Sequence, residues 1–407
     1  MLVGIERKWT PLNRPDQGVF DTISGQVARV EFEFPYLIPD LRRAPRLLIA
    51  SDYSGDHQEK HGAKYRALSF LIADQRELRA WRVGADAVRS VNLKDDREMS
   101  FKKRKERVRA AAMPVWLHTA DMITGLCVTV LIDRALDDSH LASTQDQLIS
   151  AGLEPELVEK WQPAAFERVM RVLFFGLTFA AGLARAPQPV FWITDDDEIV
   201  PDRSKEDFGR LMAAAAFTLF SYKPHIRFTR ISDGERGKQS RKDICSIPDI
   251  AAGALCHLNA TYAIEGTARP MGRVVPIPRS VPPDILELLQ WHADNRWPLK
   301  RLVFVVQPGP AGGIDAIHNL QHATLDPQIP IQLAEGIGTV AAGAAVPLFE
   351  RATFPLENGY PVTIAREPKR WLVFDRRGAL LADSVDRIDA LNLAQGVLKL
   401  RLAVRQA

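Results

Sequence analysis

The sequence predicts an α/β fold in which a mixed β-sheet is flanked by helices. Short apolar runs typical of strands come first in the chain, and further runs then alternate with helical segments, a pattern that favours a mixed sheet. A chain of 407 residues with 46% hydrophobic content is long enough for two or three domains with buried cores. We predict an N-terminal accessory segment (residues 1–43), an α/β domain (residues 44–262) and a C-terminal α+β module (residues 263–407).

The N-terminal segment is expected to contribute one accessory strand, Gln26 to Phe34, because valine and phenylalanine recur along it in an alternating pattern. Pro35, Pro39 and Pro45 separate this strand from the rest of the chain. We therefore expect it to add to the main sheet or to form a small module of its own.

The α/β domain is predicted from apolar runs of strand length and longer helical patterns. In chain order we expect strands at Arg46 to Asp52 and Tyr65 to Ala73, a third at Leu78 to Val83 or Val88 to Leu93, a helix from Phe101 to about Ala112, a strand at Leu126 to Ile132, helices within 154–183, a strand from Val190, a helix from Lys205 to Phe220, a strand at Ile226 to Ile231 and a helix opening at Asp249.

The C-terminal module begins where five prolines accumulate after Tyr262. It is expected to open with a helix and a strong strand and to continue as short strands separated by turns. The predicted elements are the helix Asp284 to Ala293 and strands at Leu302 to Val306, Ala345 to Phe349, Tyr360 to Ala365, Arg370 to Phe374 and Ala379 to Leu381.

Three acidic clusters provide the candidate functional residues. Asp52 and Asp195 each follow a short apolar strand, at the carboxyl end where open α/β sheets place their ligands. Asp249 is expected at the opening of a helix, because Pro248 precedes it and small residues follow it. A folded sheet that gathers these three carboxylates would form one metal site.

Crowded carboxylates repel one another unless a cation neutralises them, and hard divalent cations prefer carboxylate oxygens. The three aspartates therefore predict Mg²⁺ or Mn²⁺, and two such ions about 3.5–4 Å apart promote phosphodiester cleavage. The alternative is that each aspartate acts separately, as a turn former, as part of a solvated loop and as a helix N-cap.

This order of carboxylates resembles the RNase H-like fold, in which they come from the first strand, the fourth strand and a later helix. Residues 51–56 and 247–253 are also similar to the two motifs of a prokaryotic family of unknown function, DUF thirty-eight hundred, whose opening reads Asp-Glu-Ser-Gly. This chain has Tyr53 and Pro248 where that family has glutamate and alanine. The resemblance covers residues 44 to about 262 and implies a nuclease with an RNase H-like sheet and a helical insertion around residues 134–185.

RNase H-like nucleases carry a fourth carboxylate between the first and second clusters. The candidates are Asp95, Asp96 and Glu98, of which we favour Glu98, and Asp196 or Asp197 would supplement the set. The alternative for Glu98 is a favourable charge near the start of a helix.

Two basic runs flank the proposed site. The first contains Lys102, Lys103, Arg104, Lys105, Arg107 and Arg109, and the second contains Arg236, Lys238, Arg241 and Lys242. We predict that Lys238, Arg241 and Lys242 bind the phosphates of a nucleic acid. The alternative for both runs is a solvated face.

The bulk composition is less specific than these motifs. A net charge of +3 and a pI near 8.7 do not by themselves predict a polyanionic partner. Cys127, Cys245 and Cys256 lack paired spacing, so we expect no disulfide framework or zinc site and a reducing cytoplasm. The longest apolar stretch, Val172 to Ala184, is too short to span a bilayer, so no membrane association is predicted.

The sequence thus predicts a cytoplasmic, metal-dependent nuclease in which Asp52, Asp195, Asp249 and Glu98 are catalytic and the three aspartates bind the metal. The alternative is a degenerate RNase H-like domain that binds nucleic acid or a protein without cleavage, in a defence or mobile-element system, and Tyr53 favours it. A glycan hydrolase ranks below both. Residues 263–407 are expected to hold substrate, a protein partner or a second copy of the chain.

Overall fold

A mixed six-stranded sheet flanked by helices forms the centre of the protein in a computed structural model. The structure describes residues 7–12, 19–54, 65–93, 97–136, 149, 154–156, 163–194, 205–220, 225–230, 238–265, 277–278, 280–308, 314–315, 351–355, 361–367, 370–374 and 380–384. The predicted α/β class is confirmed.

The strands of the sheet lie in the order β5-β4-β1-β2-β3-β6. Strand β2 is antiparallel to β1 and β3, while β4 is parallel to β1, β5 to β4 and β6 to β3. A two-residue strand, β7, pairs with the end of β6. The strands are β1 (Leu47–Ser54), β2 (Tyr65–Asp74), β3 (Gly125–Asp133), β4 (Val190–Thr194), β5 (Ile226–Arg230), β6 (Leu299–Pro308) and β7 (Ile314–Asp315).

Helices cover both faces of this sheet. We define the first face as the one that packs against α1, α4 and α5, and the second face as the one that packs against α2, α3, α6 and α7. The helices are α1 (Val19–Glu33), α2 (Leu78–Asn92), α3 (Arg107–Asp121), α4 (Pro163–Leu183), α5 (Lys205–Leu219), α6 (Lys238–Ile264) and α7 (Pro283–Ala293). None of these described helices is long and apolar enough to cross a bilayer.

Strand β1 alternates its side chains between the two cores. Leu47 and Ile49 lie in the first-face core, and Leu48 and Ala50 lie in the second-face core. Because both faces are covered, the strand reads as a continuous apolar run rather than as an alternation of polar and apolar residues.

The strand predicted at Gln26 to Phe34 is wrong, since most of these residues belong to helix α1. The same apolar residues also fit a helical period: Ile23, Val27, Val30 and Phe34 are buried, whereas Phe32 is 85% exposed. These buried side chains share the first-face core with β1, so the segment before residue 44 packs directly on the sheet.

The third strand predicted between Leu78 and Leu93 is also wrong, because α2 occupies this region. Its buried residues Trp81, Ala85 and Val88 recur at helical spacing. The helix expected from Phe101 begins later, at Arg107, and a turn precedes it.

The helix predicted to open at Asp249 begins eleven residues earlier, at Lys238, and Pro248 lies inside it. A proline inside a helix costs roughly 3 kcal/mol. Ile244 and Ile247 before Pro248 and Ile250 after it are buried, and their burial contributes about 4–9 kcal/mol. Packing on the sheet therefore keeps α6 continuous through the proline.

The remaining strands form a separate four-stranded antiparallel sheet in the order β11-β10-β9-β8. They are β8 (Arg351–Pro355), β9 (Pro361–Glu367), β10 (Arg370–Phe374) and β11 (Leu380–Ser384), and the last three match predicted strands. The strand predicted at Ala345 to Phe349 lies outside the described residues. Strand β6 pairs with β3, so the main sheet extends across the boundary predicted at residue 262.

Candidate active site

Asp52 lies near the carboxyl end of β1, on the second face of the sheet. Leu48 and Ala50 pack into the second-face core and Tyr53 packs against the first-face core, so the alternation of the strand directs Asp52 toward the second face. The carboxyl group is half-buried, and its Oδ1 accepts a hydrogen bond from the backbone N–H of Tyr53 at 2.6 Å.

Asp249 lies in the middle of α6, the helix that covers the carboxyl ends of β1 and β4. Cys245 donates from its Sγ to the carbonyl oxygen of Ile193 in β4 (4.0 Å), and Cys256 donates to that of Ser54 in β1 (3.5 Å). Asp249 is four residues after the first cysteine and seven before the second, spacings that place it on the same side of the helix. The structure therefore brings Asp52 and Asp249 to one face of the sheet.

The Asp249 carboxylate also forms a hydrogen bond within the protein that stabilises the turn before α3. Its Oδ2 accepts a hydrogen bond of 2.7 Å from the backbone N–H of Phe101, in the turn before α3. The ring of Phe101 lies against α6 at Gly253, where an added Cβ would be 2.2 Å from the ring carbon Cγ. Glycine is thus required at residue 253 for the turn to approach the helix so closely.

The second acidic cluster follows Thr194, the last residue of β4. Asp195, Asp196 and Asp197 lie outside the described residues. Within the described part of the chain, no group of three or more histidine, cysteine, aspartate or glutamate side chains is arranged to hold a metal ion. The predicted three-aspartate site therefore stays a prediction.

A polar network on the first face ties β1 to β4. Trp192 donates from Nε1 to the Oγ of Ser51 (2.9 Å), and that Oγ lies 2.8 Å from the Oη of Tyr53. Thr194 donates from Oγ1 to the carbonyl oxygen of Ser51 at 3.4 Å. Tyr53 thus points away from the Asp52 side, so its side chain would not neighbour a cation held there. Because side chains alternate along a strand, the sequence of β1 already implies that Asp52 and its neighbour Tyr53 point to opposite faces of the sheet.

Glu98 is held by cations of the chain itself. Lys242 donates from Nζ to its Oε2 at 2.9 Å, and the Nζ of Lys103 lies 3.7 Å from its Oε1. Burial alone would raise the pKa of Glu98, but the hydrogen bond from Lys242 and the charges of Lys242, Lys103 and Arg109 outweigh burial and hold that pKa below its ordinary value. The predicted fourth carboxylate and a predicted phosphate-binding lysine are therefore partners of each other.

The Glu98 ion pair should stabilise the protein only while the carboxyl is ionised. We expect Glu98→Gln to lower the free energy of unfolding by up to about 1 kcal/mol at neutral pH. Because the folded pKa is depressed, this contribution is complete above the ordinary carboxyl pKa of 4.5 and is lost as the pH falls through the lower folded pKa. Urea unfolding of both proteins at neutral and acidic pH measures it, and an equal difference at both would contradict the ion-pair explanation.

The other predicted phosphate-binding residues lie at the start of α6. Lys238 is its first residue, and Arg241, which is half-buried, follows less than one turn later. Asp243, next to Lys242, is buried and forms an ion pair with Arg89 of α2. The beginning of α6 is thus fixed to its neighbours by charged contacts.

The first basic run was predicted to flank the site, but most of it was expected to be helical, whereas residues before Arg107 form a turn. Arg104 stacks over the ring of Phe101, with the guanidinium carbon 4.2 Å from the ring centroid, and donates to Asp284 of α7 at 2.9 Å. Burial lowers the pKa of His257, on α6, and the charges of Arg104 and Lys105 lower it further against the opposing effect of Asp284. The positive charges of Arg104 and Lys105 therefore act on α6 at His257, one helical turn after Gly253.

No family model, curated protein or solved structure matches this chain. A function for it has to be inferred from its own fold and residues.

Proposed function

We propose that the protein is a metal-dependent nuclease that cleaves phosphodiester bonds of nucleic acid. The observation that carries this proposal is the placement of Asp52 and Asp249 on one face of the sheet, near the carboxyl ends of β1 and β4. That edge is where open α/β sheets bind their ligands.

The strand order supports the RNase H-like part of the proposal. In that fold the carboxylates come from the first strand, the fourth strand and a later helix. Here β1 and β4 are neighbouring parallel strands, and α6 packs on both. Asp195, the first residue after β4, would supply the second-cluster carboxylate.

The donor chemistry of these residues fits Mg²⁺ or Mn²⁺. Asp52 and Asp249 offer hard carboxylate oxygens, and neither is fully buried. A bound cation would activate water and stabilise the leaving oxygen of the phosphodiester. Asp52, Asp195 and Asp249 would hold it, with Glu98, Asp196 or Asp197 as supplementary carboxylates.

A cleavage assay tests the proposal on labelled single-stranded, duplex and hybrid nucleic acids with Mg²⁺, Mn²⁺ or EDTA. We expect metal-dependent cleavage that Asp52→Asn reduces by at least about 100-fold. Asparagine keeps an acceptor for the N–H of Tyr53 but removes the charge. Asp86→Asn is the matched control, because Asp86 is exposed on α2, and it should cleave like the wild type. Equal cleavage by the Asp52 variant would reject the assignment.

The second candidate is a degenerate domain that binds nucleic acid or a protein without cleavage. The structural partners of two predicted ligands favour it: Asp249 accepts from Phe101, and Glu98 pairs with Lys242. In the same assay, nucleic-acid binding without cleavage under any metal condition would support this candidate. A protein partner or self-association through residues 263–407 remains a further prediction.

A further inference from the structure

We propose that residues 102–107, the basic turn, bind the sugar-phosphate backbone of nucleic acid beside the candidate active site. The inference rests on the proposed function for the identity of the polyanion. In this proposal the main phosphate contact is the basic turn, rather than Lys238, Arg241 and Lys242 at the start of α6.

The basic residues of this region divide into internal and exposed sets. Arg104 bonds to Asp284 and to the carbonyl oxygen of Phe101. Arg109 is only 5% exposed and donates to the carbonyl oxygen of Glu98 at 2.7 Å. These two arginines therefore stabilise the turn rather than offering their charge to an external ligand.

Four other cations of the run are directed to solvent. The exposed side chains are those of Lys102, Lys103, Lys105 and Arg107. The contact of Lys103 with Glu98 spans 3.7 Å and its side chain is 49% exposed, so a phosphate competes with a weak surface pair. Four exposed positive charges within six residues form a compact site for a polyanion.

The backbone of the basic turn is fixed before any ligand binds. The N–H of Lys103 donates to the carbonyl oxygen of Ser100 (3.2 Å), and the N–H of Glu106 donates to that of Lys103 (3.0 Å). Asp249 anchors one end through Phe101. A preformed turn loses little conformational entropy on binding, so less of the favourable electrostatic free energy is offset and the affinity is higher.

The position of the basic turn matches the route that a substrate would take. Asp249 contacts Phe101, the residue directly before the basic turn, and shares the second face of the sheet with Asp52. A strand whose backbone lies on the turn would therefore pass beside both carboxylates. At the start of α6, by contrast, Lys242 is engaged by Glu98, which weakens its role as a phosphate ligand.

Binding is measured by fluorescence anisotropy on labelled single-stranded DNA and RNA of about 20 nucleotides, in EDTA and over about 50–200 mM salt. We expect the triple variant Lys102→Gln, Lys105→Gln and Arg107→Gln to bind at least about 10-fold more weakly at low salt. The slope of log affinity against log salt should become shallower by about 2, since each phosphate contact on a single strand contributes about 0.7.

The matched control removes three exposed arginines at the opposite edge of the sheet, Arg43→Gln, Arg79→Gln and Arg82→Gln. It changes the net charge equally and should bind within about twofold of the wild type. Equal losses in both variants, or no binding by the wild type, would overturn the inference. EDTA separates binding from cleavage, so a wild type that binds through the turn but never cleaves would support this inference and reject the nuclease proposal.

Discussion

Replacing Asp249 by asparagine should reduce metal-dependent cleavage by at least about 100-fold while the fold persists. The change removes a negative charge from the proposed metal site, and Mn²⁺ binding should weaken with it. The asparagine Oδ1 still accepts the hydrogen bond from Phe101, so the loss in unfolding free energy should be about 1 kcal/mol or less. Calorimetric Mn²⁺ titration, cleavage rates and urea unfolding measure the three quantities.

Alanine at residue 249 provides the comparison, because it removes both the charge and the acceptor. Its additional cost is about 1–3 kcal/mol, since the N–H of Phe101 loses its side-chain acceptor. If asparagine retained wild-type Mn²⁺ affinity and cleavage while alanine only destabilised the protein, Asp249 would serve the turn alone. That result would remove it from the metal site.

Replacing Asp121 by alanine should destabilise the protein by about 3–5 kcal/mol, because it leaves a buried guanidinium without its carboxylate. The Arg301 side chain, at the start of β6, is 0% exposed and forms an ion pair with Asp121 at the end of α3. The same carboxylate accepts from Nε1 of Trp291 at 3.0 Å, and the guanidinium lies 4.3 Å from the Trp291 ring centroid. Urea or thermal unfolding measures the loss.

A double variant separates the charge from the packing. Asp121→Leu with Arg301→Met replaces both charges by apolar groups of similar size and should recover most of the stability lost in Asp121→Ala. Cleavage should be unchanged, because Asp121 lies just before β3 begins, at the edge of the sheet opposite Asp52. A loss below about 1 kcal/mol for the alanine variant would show that Arg301 finds another partner.

The strands that belong to the sheet were largely predictable because burial on both faces leaves a continuous apolar run, as in Tyr65–Asp74 and Gly125–Asp133. For short amphipathic segments it was harder to decide whether the apolar residues recur with the period of a helix or of a strand. Val27 and Val30 fit a strand by composition, and only the burial of Ile23 on the same stripe identifies a helix. Pro248 led to a wrong prediction for a related reason. Proline favours the start of a helix, but tertiary packing keeps α6 continuous on both sides of it.

The sequence could name Asp52, Asp249 and Glu98 as candidate site residues, but it could not predict their contacts. Asp249 bonds to Phe101 across 148 residues of sequence, and Glu98 to Lys242 across 144. Lys300 and Arg301 are charged, yet both are buried at the start of β6, because this strand begins against α3 and α7. Only the assembled layers determine which charges face solvent and which are enclosed.

The pairing of β6 with β3 has a consequence for the growing chain on the ribosome. All nine residues of β3 are buried in the folded protein, and one edge of that strand is completed only by residues 299–306. Until those residues emerge, nascent β3 presents unpaired backbone groups beside apolar side chains, a template for pairing with other chains. Emergence of residues 299–306 from the ribosome is therefore the step that closes this edge of the sheet.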